Sequence, residues 1–270
     1  MNRRRRNIAC LCIGWLFAFS AIPAWAQVSV TSTNPSYSGA SIVNAATQTV
    51  GTLAPNTIAT IYGTNLSWST HAVTTGDLDG GTLPSSLAGV TVYVNGIAGN
   101  LFFVSPGQIN FLIPYEITSP TATVLVARQG IAGPPATIPL ANAAPGFFQW
   151  NGNFALAEHA DGSLISSSSP AQPGEIVVLY AAGLGRVSPD VSAGHIVYTA
   201  TSILYLSELQ ILLNGVPCPA SSIYYAGLTP GYAGLYQINL MLPKVLPPDP
   251  SIQLVMGTQT SPSAVLLYAH

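Results

Sequence analysis

A seven-residue segment occurs twice in this sequence in nearly the same form. Residues 108–114 read QINFLIP, and residues 237–243 read QINLMLP. A match that keeps Gln-Ile-Asn at the front and Pro at the end indicates an internal duplication. The duplication constrains the fold strongly, because a repeated unit builds the same structure twice.

Other segments repeat in the same order and at nearly the same spacing. Residues 54–66 match residues 172–184, and each segment reads as a turn, a strand and a turn. Residues 92–96 match residues 211–215, and each pairs an apolar strand with an Asn-Gly hairpin turn. The second copy has ten extra residues between this turn and its Gln-Ile-Asn strand. The chain therefore contains two related units, of which the second carries an insertion.

The repeated unit has the sequence pattern of a β-sandwich. Its strand candidates are short, mostly alternate apolar and polar residues, and are bounded by Gly, Pro, Asn or Ser, and no useful amphipathic helix appears. At about 100 residues per copy, this pattern predicts two tandem immunoglobulin-like β-sandwiches in an all-β protein. The Cys-Trp-Cys hallmark is absent, which excludes an antibody-type domain but not the wider class. The strands predicted for the first copy are residues 57–62, 90–94, 101–104, 109–113 and 122–127.

The N-terminus has the three parts of a secretory signal peptide. Residues 3–6 are arginines, residues 8–22 are an apolar run, and residues 24–26 form a small-x-small cleavage site. The alternative, a membrane anchor, needs an apolar run of roughly 20 residues. We therefore expect export to the periplasm, the cell envelope or the exterior, with no membrane span after cleavage.

The predicted organisation has four parts. A signal peptide covers residues 1–26, an N-terminal linker covers residues 27–41, and the two sandwiches cover residues 42–144 and 145–270. The boundary between the sandwiches falls where Asn-Ala-Ala-Pro-Gly interrupts the apolar pattern, near residues 143–147.

Cleavage changes the charge balance of the chain, because it removes four of the seven basic side chains and none of the nine acids. The remaining bases are Arg128, Arg186 and Lys244, and the negative balance argues against a nucleic-acid partner. Cys218 is the only cysteine left, so no intramolecular disulfide can form. A buried, inert thiol is expected there, and an intermolecular disulfide is the alternative.

The chemistry-bearing residues form no recognisable catalytic motif, and no cofactor is predicted. The four histidines are scattered, and the densest ionisable cluster, residues 158–161, reads Glu-His-Ala-Asp before a glycine. We interpret it as a polar turn, with a metal or acid/base site as the alternative. Asp77 and Asp79 precede Gly80 with a spacing from which Ca²⁺ can be held, but a third acid is missing, and a solvated hairpin loop is the alternative.

The insertion in the second copy is rich in tyrosine. Residues 224–236 contain Tyr224, Tyr225, Tyr232 and Tyr236, and a tyrosine ring with its hydroxyl suits a sugar or a protein surface. The alternative places Tyr225 and Tyr236 in the core or in a corner-type hydrogen bond. Tyr232, between Gly231 and Ala233, is the one we expect to be exposed.

The duplicated strands carry polar side chains on one face. In a strand, the period of two places Gln108 and Asn110 on one side of the sheet and Ile109 on the other, and the same holds for Gln237 and Asn239. We expect these amides to play a structural role by bonding neighbouring loops, with contact to a ligand as the alternative.

The chain resembles a known family through an ordered series of motifs. They are Ile42-Val43-Asn44-Ala45-Ala46, Leu53-Ala54-Pro55, Ile61-Tyr62-Gly63-Thr64-Asn65-Leu66, Val104-Ser105-Pro106-Gly107-Gln108-Ile109-Asn110-Phe111, Ala144-Pro145-Gly146-Phe147-Phe148, Pro170-Ala171-Gln172-Pro173-Gly174-Glu175, Leu179-Tyr180 and Gly183-Leu184-Gly185.

This series resembles the uncharacterised domain found at the C-termini of acidobacterial secreted proteins, from about residue 42 to the end. Each half also resembles the immunoglobulin-like IPT/TIG fold. The resemblance implies fold and export but no chemistry, because the family has no established activity. Here the unit stands almost alone, without the large upstream region that it often accompanies.

These observations favour an exported, non-catalytic binding or adhesion module whose partner is a protein or a glycan. A purely structural spacer is the first alternative, and it predicts no exposed aromatic patch. A hydrolase with an unfamiliar site is the second alternative.

Overall fold

The computed structural model of the protein describes residues 33–270, so the predicted signal peptide and the start of the predicted linker lie outside the described residues. The regular structure of this part of the chain consists of β-strands and four short 3-10 turns. The predicted all-β fold of two tandem immunoglobulin-like sandwiches is confirmed. The 3-10 turns are Gly39–Ser41, Thr75–Asp77, Leu206–Glu208 and Ala220–Ser222.

Twenty-three strands are present in residues 33–270, ten in the first sandwich and thirteen in the second. Those of the first are β1 (Ile42–Asn44), β2 (Ile58–Tyr62), β3 (His71–Ala72), β4 (Val90–Val94), β5 (Ile97–Ala98), β6 (Asn100–Val104), β7 (Gln108–Leu112), β8 (Thr121–Arg128), β9 (Ile131–Ala132) and β10 (Ala136–Pro139). Those of the second are β11 (Gly146–Phe147), β12 (Gln149–Trp150), β13 (Phe154–Ala155), β14 (Ala157–His159), β15 (Ile176–Ala182), β16 (Val187–Ser188), β17 (Thr201–Ile203), β18 (Leu209–Leu213), β19 (Val216–Pro217), β20 (Ile223–Leu228), β21 (Tyr236–Met241), β22 (Ile252–Met256) and β23 (Gln259–Thr260).

Each sandwich is made of two antiparallel sheets. In the first, sheet I has the order β1-β2-β7-β6-β3, and sheet II has the order β10-β8-β4-β5 with β9 beside β8. In the second, sheet III has the order β11-β15-β21-β20-β17-β16 with β14 beside β15, and sheet IV has the order β19-β18-β22-β23. The strands β12 and β13 form a separate hairpin.

The strand order repeats between the sandwiches, as a duplication requires. The Gln-Ile-Asn strands β7 and β21 occupy equivalent places, β7 between β2 and β6, and β21 between β15 and β20. The order β5-β4-β8-β9 likewise recurs as β19-β18-β22-β23. Asn95-Gly96 and Asn214-Gly215 make the predicted hairpin turns with positive φ at both residues, which is the backbone that favours this dipeptide.

Each sandwich has its own hydrophobic core. One cluster of buried side chains is drawn from residues 37–140 and the other from residues 143–269. The buried side chains come from alternate positions along the strands. In β4, Val90, Val92 and Val94 are fully buried, while the residues between them are partly exposed. No sheet in the described residues combines strands from both halves.

The first sandwich also includes residues that the sequence places in the linker. Ser36 pairs with Thr64 through two backbone hydrogen bonds of 2.9 Å. Tyr37 is buried in the first core, and its hydroxyl accepts a 2.7 Å hydrogen bond from the amide of Val126. This part of the predicted linker is therefore packed against the first sandwich.

The two sandwiches are joined by backbone hydrogen bonds. The amide of Ala144 donates to the carbonyl of Gly183 at 2.7 Å, and the Asn44 side chain donates to the carbonyl of Ala144 at 2.9 Å. A second junction pairs residues 81–83 with residues 194–196 through two hydrogen bonds of 2.9 Å. Residues 33–270 consequently form one compact unit. No helix in that range is long and apolar enough to span a membrane.

Candidate functional site

The tyrosine-rich insertion, residues 224–236, covers most of β20, the loop of residues 229–235 and the start of β21, and its loop packs against the first sandwich. Ala233 is buried, and a Cβ placed on Gly234 would lie 2.2 Å from Cδ1 of Leu112 in β7. Tyr232 is 57% exposed, in line with the exposure expected for it. The insertion therefore contributes to the junction between the sandwiches and presents one tyrosine to solvent.

The other three tyrosines of the insertion differ in their surroundings. Tyr224 is 60% exposed, and its hydroxyl lies 3.6 Å from the sulfur of Met241. The Tyr225 hydroxyl donates to the carbonyl of Leu228 at 2.7 Å and accepts from the amide of Thr201 at 3.0 Å. Tyr225 thus takes the corner-type role that was the alternative for it.

Tyr236 lies in the second core rather than on a surface. Its side chain is fully buried, and its hydroxyl donates to the carbonyl of Gly185. Burial raises the pKa of Tyr236, so its hydroxyl remains protonated. A direct contact of Tyr236 with a ligand would require the core to open.

A solvent-facing surface emerges on the outer side of sheet III. Along β15, Val177, Leu179 and Ala181 are fully buried in the core, so Tyr180 projects to the opposite side. Along β21, the same alternation places Gln237 on that outer side. We call this surface the outer face of sheet III, and its members are Glu158, Val178, Tyr180, Tyr224, Tyr225, Gln237, Asn239 and Met241.

Cross-strand pairing brings these side chains together. Tyr180 lies opposite Gln237 on the neighbouring strand, and Asn239 lies between Val178 and Tyr225. Side chains directly opposite each other in a sheet are close enough to contact one ligand. The Tyr180 hydroxyl donates to the Glu158 carboxylate at 2.8 Å. The outer face of sheet III therefore combines aromatic rings, amides and one carboxylate.

Tyr232 lies at the end of this face. Burial raises the pKa of Tyr180, the hydrogen bond to Glu158 raises it further, and the nearby Tyr232 adds a smaller effect in the same direction. The loop that carries Tyr232 joins Leu228 of β20 to Tyr236 of β21, and this cross-strand pair is next to the Tyr180–Gln237 pair, so the loop lies at the end of the face. The sequence indicated Glu158 only as part of the ionisable cluster of residues 158–161, and it did not indicate Tyr180 as a site residue, although Tyr180 aligns with Tyr62 of the first copy.

Within residues 33–270, the amides of the duplicated strands bond to each other, and Asn110 also accepts from Thr60 of β2 at 3.1 Å, so the expected bonds to neighbouring loops were wrong. The Gln237 side chain donates to the Asn239 side-chain oxygen at 3.0 Å, and Gln108 donates to Asn110 at 2.9 Å. The cause is the period of two, because side chains two residues apart on one strand face the same side and are close. Both sandwiches therefore carry the same amide pair on an outer surface.

The predicted calcium ligands occupy a loop of the first sandwich. The Asp77 carboxylate accepts hydrogen bonds from the side chain and amide of Thr74 at 2.7 and 2.8 Å, and it lies 3.1 Å from His71 Nε2. The hydrogen bond from the Thr74 side chain is the main cause that lowers the pKa of Asp77 to about 2. Asp79 pairs through its backbone with Thr82. A calcium ion at Asp77 would compete with these bonds, and its binding there stays a prediction.

The ionisable cluster around His159 is completed by residues from later in the chain. His159 Nδ1 is hydrogen-bonded to Glu175, and His159 Nε2 lies 3.1 Å from the carbonyl oxygen and 3.2 Å from the hydroxyl oxygen of Ser169. Asp161 accepts hydrogen bonds from Ser163 at 2.6 and 2.9 Å, which makes the predicted polar turn. A shallow pocket of about 400 Å³ lies over these residues. Sequence spacing could not indicate Ser169 and Glu175, because they meet His159 only through folding.

The pKa of His159 reflects two opposing effects. Partial burial lowers the pKa, but the hydrogen bonds to Glu175 and to the Ser169 carbonyl, with the negative charges of Glu175 and Asp161, raise it above 6.5 overall. Within residues 33–270, no group of three or more His, Cys, Asp or Glu side chains could hold a metal ion. The His159 cluster is thus a hydrogen-bonded network of Ser, His and Glu.

Two further cavities lie elsewhere. A polar cleft of about 450 Å³ separates Asn44, Thr47 and Thr49 of the first sandwich from Gln259 and Ser261 of the second. An apolar pocket of about 630 Å³ lies in the second sandwich beside Cys218. Cys218 is half-buried, and burial raises the pKa of its thiol, which keeps the thiol in its less reactive form.

Comparison with known proteins gives distant structural likenesses. No protein-family model matches the sequence, and no curated protein matches it. The surface glycan-binding protein PbSGBP-B from Prevotella bryantii is 13% identical over 85% of this chain and 41% of its own, with a TM-score of 0.27.

Two other solved structures show similar relations. SGBP-B of the mixed-linkage glucan utilization locus of Bacteroides ovatus, in complex with a mixed-linkage heptasaccharide, is 10% identical over 78% of this chain and 42% of its own, with a TM-score of 0.32. Domains 5–6 of the S-layer protein SbsC are 8% identical over 87% of this chain and 98% of their own, with a TM-score of 0.27.

The chain spans less than half the length of both glycan-binding proteins. At these identities and TM-scores, the ligands named for those proteins are not transferred to this chain.

Proposed function

We propose that this protein is an exported, non-catalytic binding module that recognises an uncharged glycan through the outer face of sheet III. The observation that carries the proposal is the group of tyrosines and amides on that face together with Tyr232 at its end, and Tyr224 and Tyr232 are more than half exposed. The signal-peptide pattern of residues 1–26 supports export.

The chemistry of the face suits a sugar. A pyranose ring has apolar C–H surfaces that stack on aromatic rings, and its hydroxyls both donate and accept hydrogen bonds. Tyrosine offers a ring and a hydroxyl, while the Gln237 and Asn239 side chains each provide donors and an acceptor. Glu158 is the one charged member of the face, and its carboxylate already accepts from Tyr180. These groups favour a neutral polyhydroxylated ligand over a charged one.

The proposal predicts that the two exposed rings carry binding. We expect Tyr224→Ala and Tyr232→Ala each to raise the dissociation constant about fivefold, because each removes a stacking ring worth about 1 kcal/mol. The measurement is a glycan-array screen followed by calorimetric titration with the glycan that binds best. Trp150→Ala is the control, because Trp150 is an exposed aromatic residue on the separate hairpin of β12 and β13.

The screen also separates this function from its rivals. A protein that binds no glycan on the array and captures no envelope protein would be a spacer. Capture of an envelope protein that depends on Tyr224 and Tyr232, without glycan binding, would identify the face as a protein interface. Either result would refute the glycan proposal.

One observation favours a second function, hydrolysis of an ester. The hydrogen bonds connect a candidate nucleophile, Ser169, to a base, His159, and connect that base to an acid that orients it, Glu175. In such a reaction the Ser169 oxygen attacks the carbonyl carbon while its proton moves to His159 Nε2. The alcohol leaves with that proton, and water then releases the acid from Ser169 by the same route.

The test of the second function is labelling with a fluorophosphonate probe. A hydrolase would be labelled at Ser169, and His159→Ala would reduce that labelling about 100-fold or more through loss of the general base. Ser168, whose hydroxyl lies 3.0 Å from that of Ser166, is the internal control in the same serine-rich turn. Labelling of Ser169 no greater than that of Ser168 would leave His159 with a structural role alone.

A further inference from the structure

The apolar pocket of the second sandwich has the features of a second ligand site, which shares only Met241 with the outer face of sheet III. It lies between the β18–β19 hairpin and the chain that follows β21, and its volume is about 630 Å³. This volume is within the range of small-molecule sites, roughly 300–1,000 Å³. Leu213 and Leu242, which belong to the second core, form part of its wall.

The rim of the pocket exposes large apolar side chains. Val216 is 67% exposed and Val245 is 88% exposed, and Met241 and Leu246 complete the apolar wall. A contiguous apolar surface that opens into a cavity is costly to leave in water, and such surfaces commonly mark a binding site. The wall is therefore suited to an alkyl chain.

The charge at the rim is Lys244. Arg128 is buried and donates to the backbone carbonyls of Asn65 and Thr33, and Arg186 is paired with Asp190. Among the lysines and arginines of residues 33–270, Lys244 is thus the one whose charge is neither buried nor paired with an acid, and it lines the pocket. A cation beside an apolar cavity complements a ligand with an apolar chain and an anionic head.

The first sandwich provides an internal comparison, because the segment that follows its Gln-Ile-Asn strand has different residues from the segment at the pocket. Pro114-Tyr115-Glu116-Ile117 aligns with Pro243-Lys244-Val245-Leu246. Ile117 is 5% exposed and belongs to the first core, and Glu116 stands where the second copy has exposed Val245. The apolar rim and its lysine are therefore a departure of the second copy and not a requirement of the fold.

The position of Cys218 shows the same departure. It aligns with Gly99, where an added Cβ would lie 2.9 Å from the carbonyl oxygen of Leu112. The first sandwich is therefore too tightly packed at this point for a side chain. In the second, a thiol fits there and lines the cavity.

We infer that this pocket binds an amphiphile with one alkyl chain and an anionic headgroup, with the chain against Val216 and Leu246 and the headgroup at Lys244. Carboxylate and phosphate heads share the chemistry that Lys244 recognises. The site does not depend on the proposed glycan function, since neither Tyr180 nor Tyr232 lines it.

The test uses dodecanoate and dodecyl phosphate, each below its micelle concentration, with dodecyltrimethylammonium as the oppositely charged probe. Binding is measured by calorimetry on the full chain, and the alkylation rate of Cys218 by iodoacetamide is followed by mass spectrometry of the peptide that contains it. Both anions should bind and slow the alkylation, and the cation should do neither. Equal binding of anion and cation, or binding that leaves the alkylation rate unchanged, would overturn the inference.

Three variants locate the headgroup and the chain. We expect Lys244→Glu to weaken dodecanoate binding about tenfold or more, while Lys244→Arg retains it, because the interaction needs a positive charge. Val216→Asp should abolish binding, and it should preserve the fold because Val216 is largely exposed. Unchanged affinity in folded Lys244→Glu protein, checked by its melting temperature, would also refute the inference.

Discussion

Replacing Gly183 with alanine should lower the free energy of unfolding by about 2–5 kcal/mol. Gly183 has φ of +76°, where a side chain adds strain of about 1–2 kcal/mol. A Cβ there would also lie 1.9 Å from the carbonyl oxygen of Ala144, the residue whose amide donates to Gly183 across the junction. The backbone of the junction would therefore have to move, which adds an overpacking term of about 1–3 kcal/mol.

Gly174→Ala is the matched control for this prediction. Gly174 has φ of +79°, but no atom lies within 4 Å of a Cβ added to it. It should therefore show the strain of about 1–2 kcal/mol without the clash. The measurement is denaturant unfolding of both variants. Equal losses in the two would mean that close packing at the junction contributes nothing beyond backbone strain.

Truncating one aromatic core residue in each sandwich should be equally damaging. Phe111 of β7 and Phe147 of β11 are fully buried in separate cores. We expect each change to alanine to destabilise the protein by about 3–5 kcal/mol, through lost burial and the cavity left behind.

Amide hydrogen exchange shows which sheets lose stability in each variant. Phe111→Ala should speed exchange mainly in sheets I and II, and Phe147→Ala should speed it mainly in sheets III and IV, because each residue supports its own core. If either variant lowered the protection of amides from exchange equally in all four sheets, the two cores would open as one cooperative unit.

The parts of the fold that the sequence predicts well are local. Asn95-Gly96 and Asn214-Gly215 indicate hairpins because two adjacent residues with positive φ favour this dipeptide. The alternation in β4 indicates a half-buried strand for a similar reason. The Asn-Gly dipeptide and the alternating pattern each span only a few residues, and each is seen in both copies of the repeat.

The parts that were missed depend on contacts between distant segments. Glu175 and Ser169 contact His159 only after the chain has folded. The spacing of these residues in the sequence therefore does not predict their hydrogen-bonded network. The insertion is visible as extra residues, but its packing of Gly234 against Leu112 depends on how the sandwiches meet. The outer face of sheet III could be predicted in part. The period of two predicts that Gln237 and Asn239 share one side of the sheet, but the pairing of Tyr180 with Gln237 depends on the register of β15 and β21, which only the structure gives.

Oxidative footprinting of the aromatic side chains, with and without a glycan found on the array, tests directly whether the outer face of sheet III binds that glycan. We expect the glycan to protect Tyr180, Tyr224 and Tyr232 from oxidation, while Trp150 and Tyr62 are oxidised at unchanged rates. Protection limited to Trp150 or Tyr62, or no protection of these three tyrosines at saturating glycan, would contradict binding at the outer face of sheet III.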